Sequence, residues 1–504
     1  MWRKKLKGKT QENTPFPHDT HLLEIWIKHQ FHQSSDIVVN YFSFGEMNVL
    51  VSYIDQSIDT KLLSEFILQP LLQQKDEGIS FEKATEKVEI TSPKWTNNGS
   101  DIISGLLSGA VLLYCEGSEH AVLYNIVLVE GRNPEKAETE SLVFGPKVAF
   151  TESLSKNLNL IRTHLNDPQL TVEEIIVGER AKKPVSILYI KDITNEELVQ
   201  TFRQRITDLH YDHIMDSTVL AQLLEDNSQT IFPQILTTEL PDRLSLSLLH
   251  GKVGVLVDGS PTAIIGPSTF LSFFESTEDV YMRWNMGTFL RMLRFLAIFL
   301  SVLLTPAYVA VLTYHYEVIP SALLISLGQS RANVPFPPFF EALLLEFIIE
   351  LLREAGARLP TKVGQTIGIV GGIVIGQASV QAGITSNILI IIIALSALGS
   401  FTTPSYLMGT AIRITRFPII ILAALWGGVG IMLAFCFIII HLLRLTTIGV
   451  PYLSPIYPLR LSDLRYSLFR VPQQYLKMRP ASNRPLNEER YTKRDPKQKR
   501  DIDQ

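Results

Sequence analysis

Residues 295–314 read FLAIFLSVLLTPAYVAVLTY, twenty positions without a charged side chain. At 1.5 Å per residue a helix of that length measures ~30 Å, the thickness of a bilayer's hydrocarbon core. Outward from it the apolar character continues. Residues 295–443 hold eleven Asp, Glu, Lys or Arg in 149 positions, with further apolar runs at 364–383, 386–400 and 417–443. The last is long enough to span with tilt. One such run is equally well explained as a buried core helix. Four of them point to an all-α polytopic membrane domain over 290–445 with four to six helices, the amphipathic segment 337–352 being the variable one.

The whole-chain figures are a blend. The chain has 504 residues, 46% hydrophobic and 19% charged, with a formal charge of −4. Its length exceeds the ~250–300 residues at which one core stops growing. Its charged fraction lies below the ~25% usual for soluble domains. Disorder and a strongly basic, nucleic-acid-binding chain are excluded, and two cysteines, Cys115 and Cys436, exclude a disulfide scaffold. After Leu443, thirteen Lys or Arg face six acids, which gives +7 there and leaves −11 for residues 1–443.

Charge placement predicts topology. Arg283, Arg291 and Arg294 precede the first run, whereas 315–340 carries only Glu317 and Arg331. The positive-inside rule puts the N-terminal domain in the cytoplasm, together with a basic tail over 446–504 lying near anionic lipid headgroups. The basic and polar segment 1–19 lacks the apolar stretch of a signal peptide. Residues 20–285 read as an α/β domain with a possible subdomain boundary near 130–140. Strands are expected at 47–54, 109–114, 120–128, 185–191 and 252–258, the last turning at Asp258-Gly259 into 262–265. Helices are expected at 20–32, 59–73, 152–165 and 194–208, with Thr194 as N-cap and Glu197 completing a capping box.

Catalytic signatures are missing: there is no GxxxxGK[ST], GxSxG or HExxH. His29/His32 and His210/Asp212/His213 read as solvated surface rather than metal ligands. Asn98-Gly99-Ser100 is a sequon in a domain assigned to the cytoplasm. The expectation is no enzyme, no metal and no cofactor.

The informative region is 337–383. On a wheel of 100° per residue, Gly364, Gly368, Gly372 and Gly376 fall on one small face suited to close helix packing. Val370, Val374, Gln377 and Gln381 fall on the opposite face. Two amides there need either a neighbouring helix or a water-lined pore, with Val370 and Val374 as its hydrophobic constriction. Before it, Glu346, Glu350 and Arg353 share one stripe of a helix from Pro338, Glu350 being placed to pair with Arg353. Charges at membrane depth suggest an ion vestibule or a subunit contact; the competing explanation is an interfacial helix whose acids are wet.

Arg353–Pro360 (REAGARLP) followed by VGQTIGIVGGIVIGQASVQAGITS at 363–386 resembles the signature of the GerA family of spore germination proteins. So do FPQ (232–234), PDR (241–243), VDGSP (257–261), ESTEDVYMRW (275–284), SFTTPSYLMGTAIRITRFP (400–418) and PYLSPIYPLR (451–460). The resemblance covers roughly 20–480. Small departures are Val148-Ala149 and Lys156, where relatives often carry an acidic-Gly pair and Arg, and Gln381 in place of an acid. The resemblance implies the A subunit of a nutrient germinant receptor, acting with a transporter-like B subunit and a lipoprotein C subunit. It also implies a homo-oligomeric cation channel in the spore inner membrane. An accessory germination channel of the same family without a nutrient-binding partner is the alternative, and a solute permease a weaker one, since no second Gly/Gln helix repeats the first.

Overall fold

A computed structural model describes residues 15–491 except 45–46, 75–80, 87, 89–92, 129–136, 138–139, 141–143, 360–371 and 373. Helix α1 (Thr20–Gln30) leads into strands β1 (Ile37–Phe44) and β2 (Met47–Ile54). A helix from Thr60 to Gln74 follows, widened to π geometry over Leu63–Leu68. Pro70 explains the widening: it has no N–H to offer Phe66 and its ring crowds that carbonyl, so the Gln69 amide reaches back five residues to Ser64. Then come β3 (Lys94–Thr96), α2 (Gly99–Leu107), β4 (Ala110–Cys115) and β5 (Ala121–Asn125). The five strands lie in the order β1-β2-β4-β5-β3, every pair antiparallel.

The same plan then recurs. Helix α3 (Leu154–His164) precedes the hairpin β6 (Leu170–Val177) and β7 (Lys183–Ile190). Helices α4 (Glu196–Thr207) and α5 (Ser217–Leu224), β8 (Leu236–Thr238), α6 (Pro241–Leu249) and the hairpin β9 (Val253–Val257) and β10 (Ala263–Gly266) follow. The order β6-β7-β9-β10-β8 is the first sheet's order again, antiparallel throughout. Alternation along the central strands feeds two cores per sheet. Leu50, Leu112 and Tyr114 meet α1 and α2 on one face, while Val49, Val111 and Leu113 meet the helix after β2 on the other. In the second sheet Leu188 and Leu256 meet α3 and α6, and Val185, Ile187 and Val255 meet α4 and α5.

Two details differ from expectation. Asn195, not Thr194, caps α4, its side chain accepting from the Glu197 amide; the Thr194 hydroxyl accepts from the Ile190 amide instead. Asn98 of the sequon caps α2 by accepting from the Ser100 amide. In addition, β1, β3, β6, α2, α5 and α6 form where the sequence reading names no element.

The helical region begins with α7 (Trp284–Tyr314), then α8 (Ser321–Arg331) and α9 (Pro338–Arg358). Residues 374–381 are helical (α10), and α11 (Asn387–Phe401) and α12 (Tyr406–Arg444) complete it. The run 417–443 is not one tilted helix. At Gly427, φ +57° and ψ −135° break α12 into arms 406–426 and 428–444. The arms fold back on each other: a Cβ on Gly430 would collide with the Leu422 carbonyl. Only glycine holds this backbone comfortably, and a Cβ at 427 would also strike Tyr314 and His315.

Side-chain pairings fix each helix's direction against α7. Arg416 meets Ser301 (2.7 Å) and Tyr314 meets the Leu425 carbonyl (2.8 Å), so the first arm runs parallel to α7. Ser386 meets Tyr308 (3.1 Å) and Ser396 meets the Ser301 carbonyl (2.7 Å), so α11 runs back. In α9, Glu341 lies beside Thr385 and Ser386, and Arg353 lies beside Ser400, so α9 also runs back. The return arm of α12 ends at the second sheet, His441 bonding Thr230 at 2.8 Å.

The tail is built into the second unit. Thr446–Thr447 pairs with Val450–Pro451, and the fully buried Tyr452 donates to the Pro233 carbonyl (2.6 Å). Further on, Arg479 donates to Leu249 O and Asn483 to His250 O.

Candidate functional site: charges inside the helical region

Nine of the eleven charged residues of 295–443 pair with one another. Among the described residues Glu317 makes no ion pair, and Lys362 lies outside them. The pairs form a ladder along α9. At its start Glu341 takes Arg331 (2.8 Å) on one oxygen, and the Thr385 hydroxyl and Ser386 amide on the other. One and a half turns on, Glu346 accepts from Arg416 (2.6 Å) and the Thr305 hydroxyl (2.8 Å), both charged groups being about 95% buried. Arg416 also reaches Ser301. Next, Glu350 accepts from Arg353 (3.1 Å) and Arg413 (3.2 Å), and Arg353 stacks on the Phe401 ring at 4.6 Å while reaching Ser400. Glu354 and Arg358 close the ladder in the open.

The expected i,i+3 pairing of Glu350 with Arg353 is therefore present. The partner of Glu346 is a helix of the same chain. Only Glu350 and Arg353 of the proposed stripe keep surface toward other molecules or solvent, and Glu350 keeps the more. An unpaired carboxylate is costly in an apolar interior, and the buried Glu341 and Glu346 each lie against an arginine. Sequence reading identified Glu346, Glu350 and the Arg353 pairing, but not Glu341, Arg413 or Arg416. Arg413 and Arg416 were visible in IRITRFP (412–418) as two arginines one turn apart in an apolar helix, and Glu341 as an acid three residues past a proline pair.

Of the residues assigned to the Gly/Gln helix, Gly364, Gly368 and Val370 lie outside the described residues. Within the rest, Ser379 is buried while Val374 (55% exposed), Gln377 and Gln381 point away from the bundle. Among the described residues nothing stands within 4 Å of where a Cβ on Gly372 or Gly376 would lie. Gly383 ends the helix with φ +68°, and a Cβ there would lie 2.8 Å from the Asn333 carbonyl. Among the described residues no group of three His, Cys, Asp or Glu converges as a metal site.

At the base of α7, buried Asp279 accepts from Arg291 (3.0 Å) and Arg294 (3.3 Å). Arg291 also donates to the Ser467 carbonyl of the tail.

Residues 26–482 match the family described as Bacillus/Clostridium GerA spore germination protein. The spore germination protein GerQA of Bacillus cereus is 45% identical over 453 residues, covering 90% of each chain. The spore germination protein B1 of Bacillus subtilis (strain 168) is 36% identical over 468 residues, 91% of this chain and 96% of that one. Among solved structures, the N-terminal domain of the A subunit of the Bacillus megaterium spore germinant receptor GerK3 aligns at a TM-score of 0.42. It has 26% identity and covers 51% of this chain and 98% of that one.

Proposed function

The chain belongs to the GerA family of spore germination proteins, and from that premise we propose that it is the A-type membrane subunit of a nutrient germinant receptor, working as one subunit of an oligomeric cation channel. Its role in germination follows from the family; the channel follows from one observation. Helix α10 buries Ser379 and turns Val374, Gln377 and Gln381 outward. Amides turned away from their own bundle at membrane depth need water or another subunit. A ring of copies placing this face on its axis supplies both, with Val374 as the constriction and Gln377 and Gln381 as a polar ring. The open flank at Gly372 and Gly376 then receives the neighbouring copy.

The topology of this reading is six crossings. Arg291 at the start of α7 and His441 near the end of α12 both touch the soluble part, so the number of crossings between them is even. The helix directions give α7 out, α9 back, α10 out to Gly383 beside Asn333, α11 back, and the two arms of α12 out and back. Two of these helices pass the length and hydropathy criteria for a span by themselves. The soluble units and the tail share the cytoplasmic side by the positive-inside rule. A transporter-like B subunit carries the nutrient site and a lipoprotein C subunit completes the receptor.

The test is ion flux through vesicles containing the full chain with its partner subunits. Val374→Ala is expected to raise the basal leak severalfold while nutrient still opens the channel. An unchanged leak in an intact assembly overturns the assignment of α10 to the pore.

A further inference from the structure

Where the second unit, the base of α7 and the tail meet, the protein forms a half-open cavity of about 140 Å³. A space of that order accommodates one molecule the size of benzene. Its wall is cationic beyond what its own acids offset. Arg243 and Arg291 are matched from outside the wall by Glu140 and Asp279. Four more cations, Lys252, Arg465, Arg470 and Arg490, face the cavity against two acids, Glu275 and Asp463. Asp463 is already engaged by the Ala481 and Ser482 amides at 3.0 and 2.8 Å.

Among the described residues, several polar groups at this wall lack partners. Arg470 is about nine-tenths buried; one of its terminal nitrogens donates to the Val280 carbonyl and the other has no partner. The Thr277 hydroxyl is equally buried and equally unpartnered, as is Nε2 of His250. The ammonium of Lys252 makes no hydrogen bond or ion pair among the described residues. Burial pushes it down to about 8, with Glu275 pulling the other way. Burial, and then the charges of Arg490, Lys252 and Arg479, push His250 down to about 3, so the ring is neutral at pH 7 and adds no charge to the wall. Buried donors without acceptors are rare because each costs the full desolvation of its group.

We propose that this cavity binds a phosphate-class oxyanion, held by Lys252 and Arg470 with Thr277 donating a hydroxyl. The surplus of two positive charges on the wall matches a dianion. A guanidinium, an ammonium and a hydroxyl converging on one small space are the donor set that phosphate takes. The phosphate has two possible sources, free in the cytoplasm or carried on a lipid headgroup beside the base of α7. Either way it bridges the second unit (Lys252), the tail (Arg470) and the helix that Arg470 flanks at Gly287. Its occupancy tightens the junction through which the soluble part and the helical region are joined. This inference does not depend on the channel reading, and its test measures no conductance.

The full chain is held in nanodiscs of phosphatidylcholine and its thermal unfolding followed with inorganic phosphate against chloride at equal ionic strength. A parallel series without phosphate replaces part of the neutral lipid by phosphatidic acid. A rise in Tm of roughly 2 °C or more with free phosphate supports a soluble ligand, and a rise only with the anionic lipid supports a headgroup. Lys252→Gln removes a cation that nothing hydrogen-bonds, so it is expected to raise Tm without ligand and to abolish the response. Arg470→Gln is expected to weaken the midpoint about tenfold. A wild-type Tm that neither phosphate nor phosphatidic acid moves overturns the proposal. A Lys252→Gln chain that keeps the full response overturns it as well.

Discussion

The chain builds one arrangement of strands twice, over 20–125 and over 154–266, and leaves the two copies in different surroundings. In the first, the core under α1 and α2 is closed locally by Phe16. In the second, the corresponding core under α3 and α6 continues without a break into Phe273, Phe274, Met408, Ile412, Leu442 and Tyr452. The second copy is thus a foundation for the helices and the tail, while the first is attached to the second. Their junction centres on Ser34, Asp36 and Arg162, an arginine of α3 gripping the loop before β1 at 2.8 and 2.9 Å, both charged residues being buried. The same topology therefore gives one unit whose core is continuous with the bundle and one joined to that unit across a polar junction, where the Ser35 amide also donates to the Val172 carbonyl (2.8 Å).

Removing the anchor of the foundation has the largest expected effect. Asp279→Asn leaves Arg291 and Arg294 without a counter-charge at the base of α7, at a cost of about 3–5 kcal/mol. The second unit and the helices should lose stability together in one thermal transition. Separate transitions would break the claim that they share a core.

Arg162→Met comes next, at about 3 kcal/mol, because Asp36 stays buried with Ser34 as its remaining donor. Here the loss should be confined. Hydrogen exchange in β1, β2 and α1 should quicken while β7 and β9 keep their protection. Equal loss of protection in both sheets would show that the first unit is as integral as the second.

How much of this was readable from sequence follows from what each feature depends on. The helices of the membrane region rest on local composition, so 295–314 and 386–400 were legible as uninterrupted apolar runs. The hairpin at Asp258-Gly259 was legible for the same reason, since turn chemistry is local. The repeat was not legible, because it lives in strand order, and β1 and β6 share a role without sharing residues. The reversal at Gly427 was hidden by its surroundings: LWGGVGIM is apolar throughout, and only a φ of +57° separates a kink from a continuing helix. The α12 partners of Glu346 and Glu350 were hidden by distance, since Arg416 and Arg413 lie some 60–70 residues away and are brought close only by the packing of α9 against the first arm of α12. The tail's +7 places it near anionic lipid headgroups, yet Arg470 and Arg479 point inward onto backbone carbonyls, a destination that composition does not encode.

Two buried tyrosines make the finest test of the difference between the copies. In the first unit, Tyr114 donates to the carbonyls of His18 (2.7 Å) and Ser118 (2.9 Å), holding the segment before α1. In the second, Tyr452 donates to the Pro233 carbonyl and holds the tail. Each Tyr→Phe change keeps the ring and removes one hydroxyl, so each costs about 1 kcal/mol at its own site. The site decides what that cost does. Tyr452 sits in the core shared with Met408 and Leu442, so Tyr452→Phe should lower the Tm of the helices as well as loosening the tail. Tyr114 sits in a core closed on itself, so Tyr114→Phe should leave the Tm of the helices unmoved and speed exchange only within 20–125. If both substitutions lower the helical transition equally, the two copies carry load alike and their difference is one of position alone.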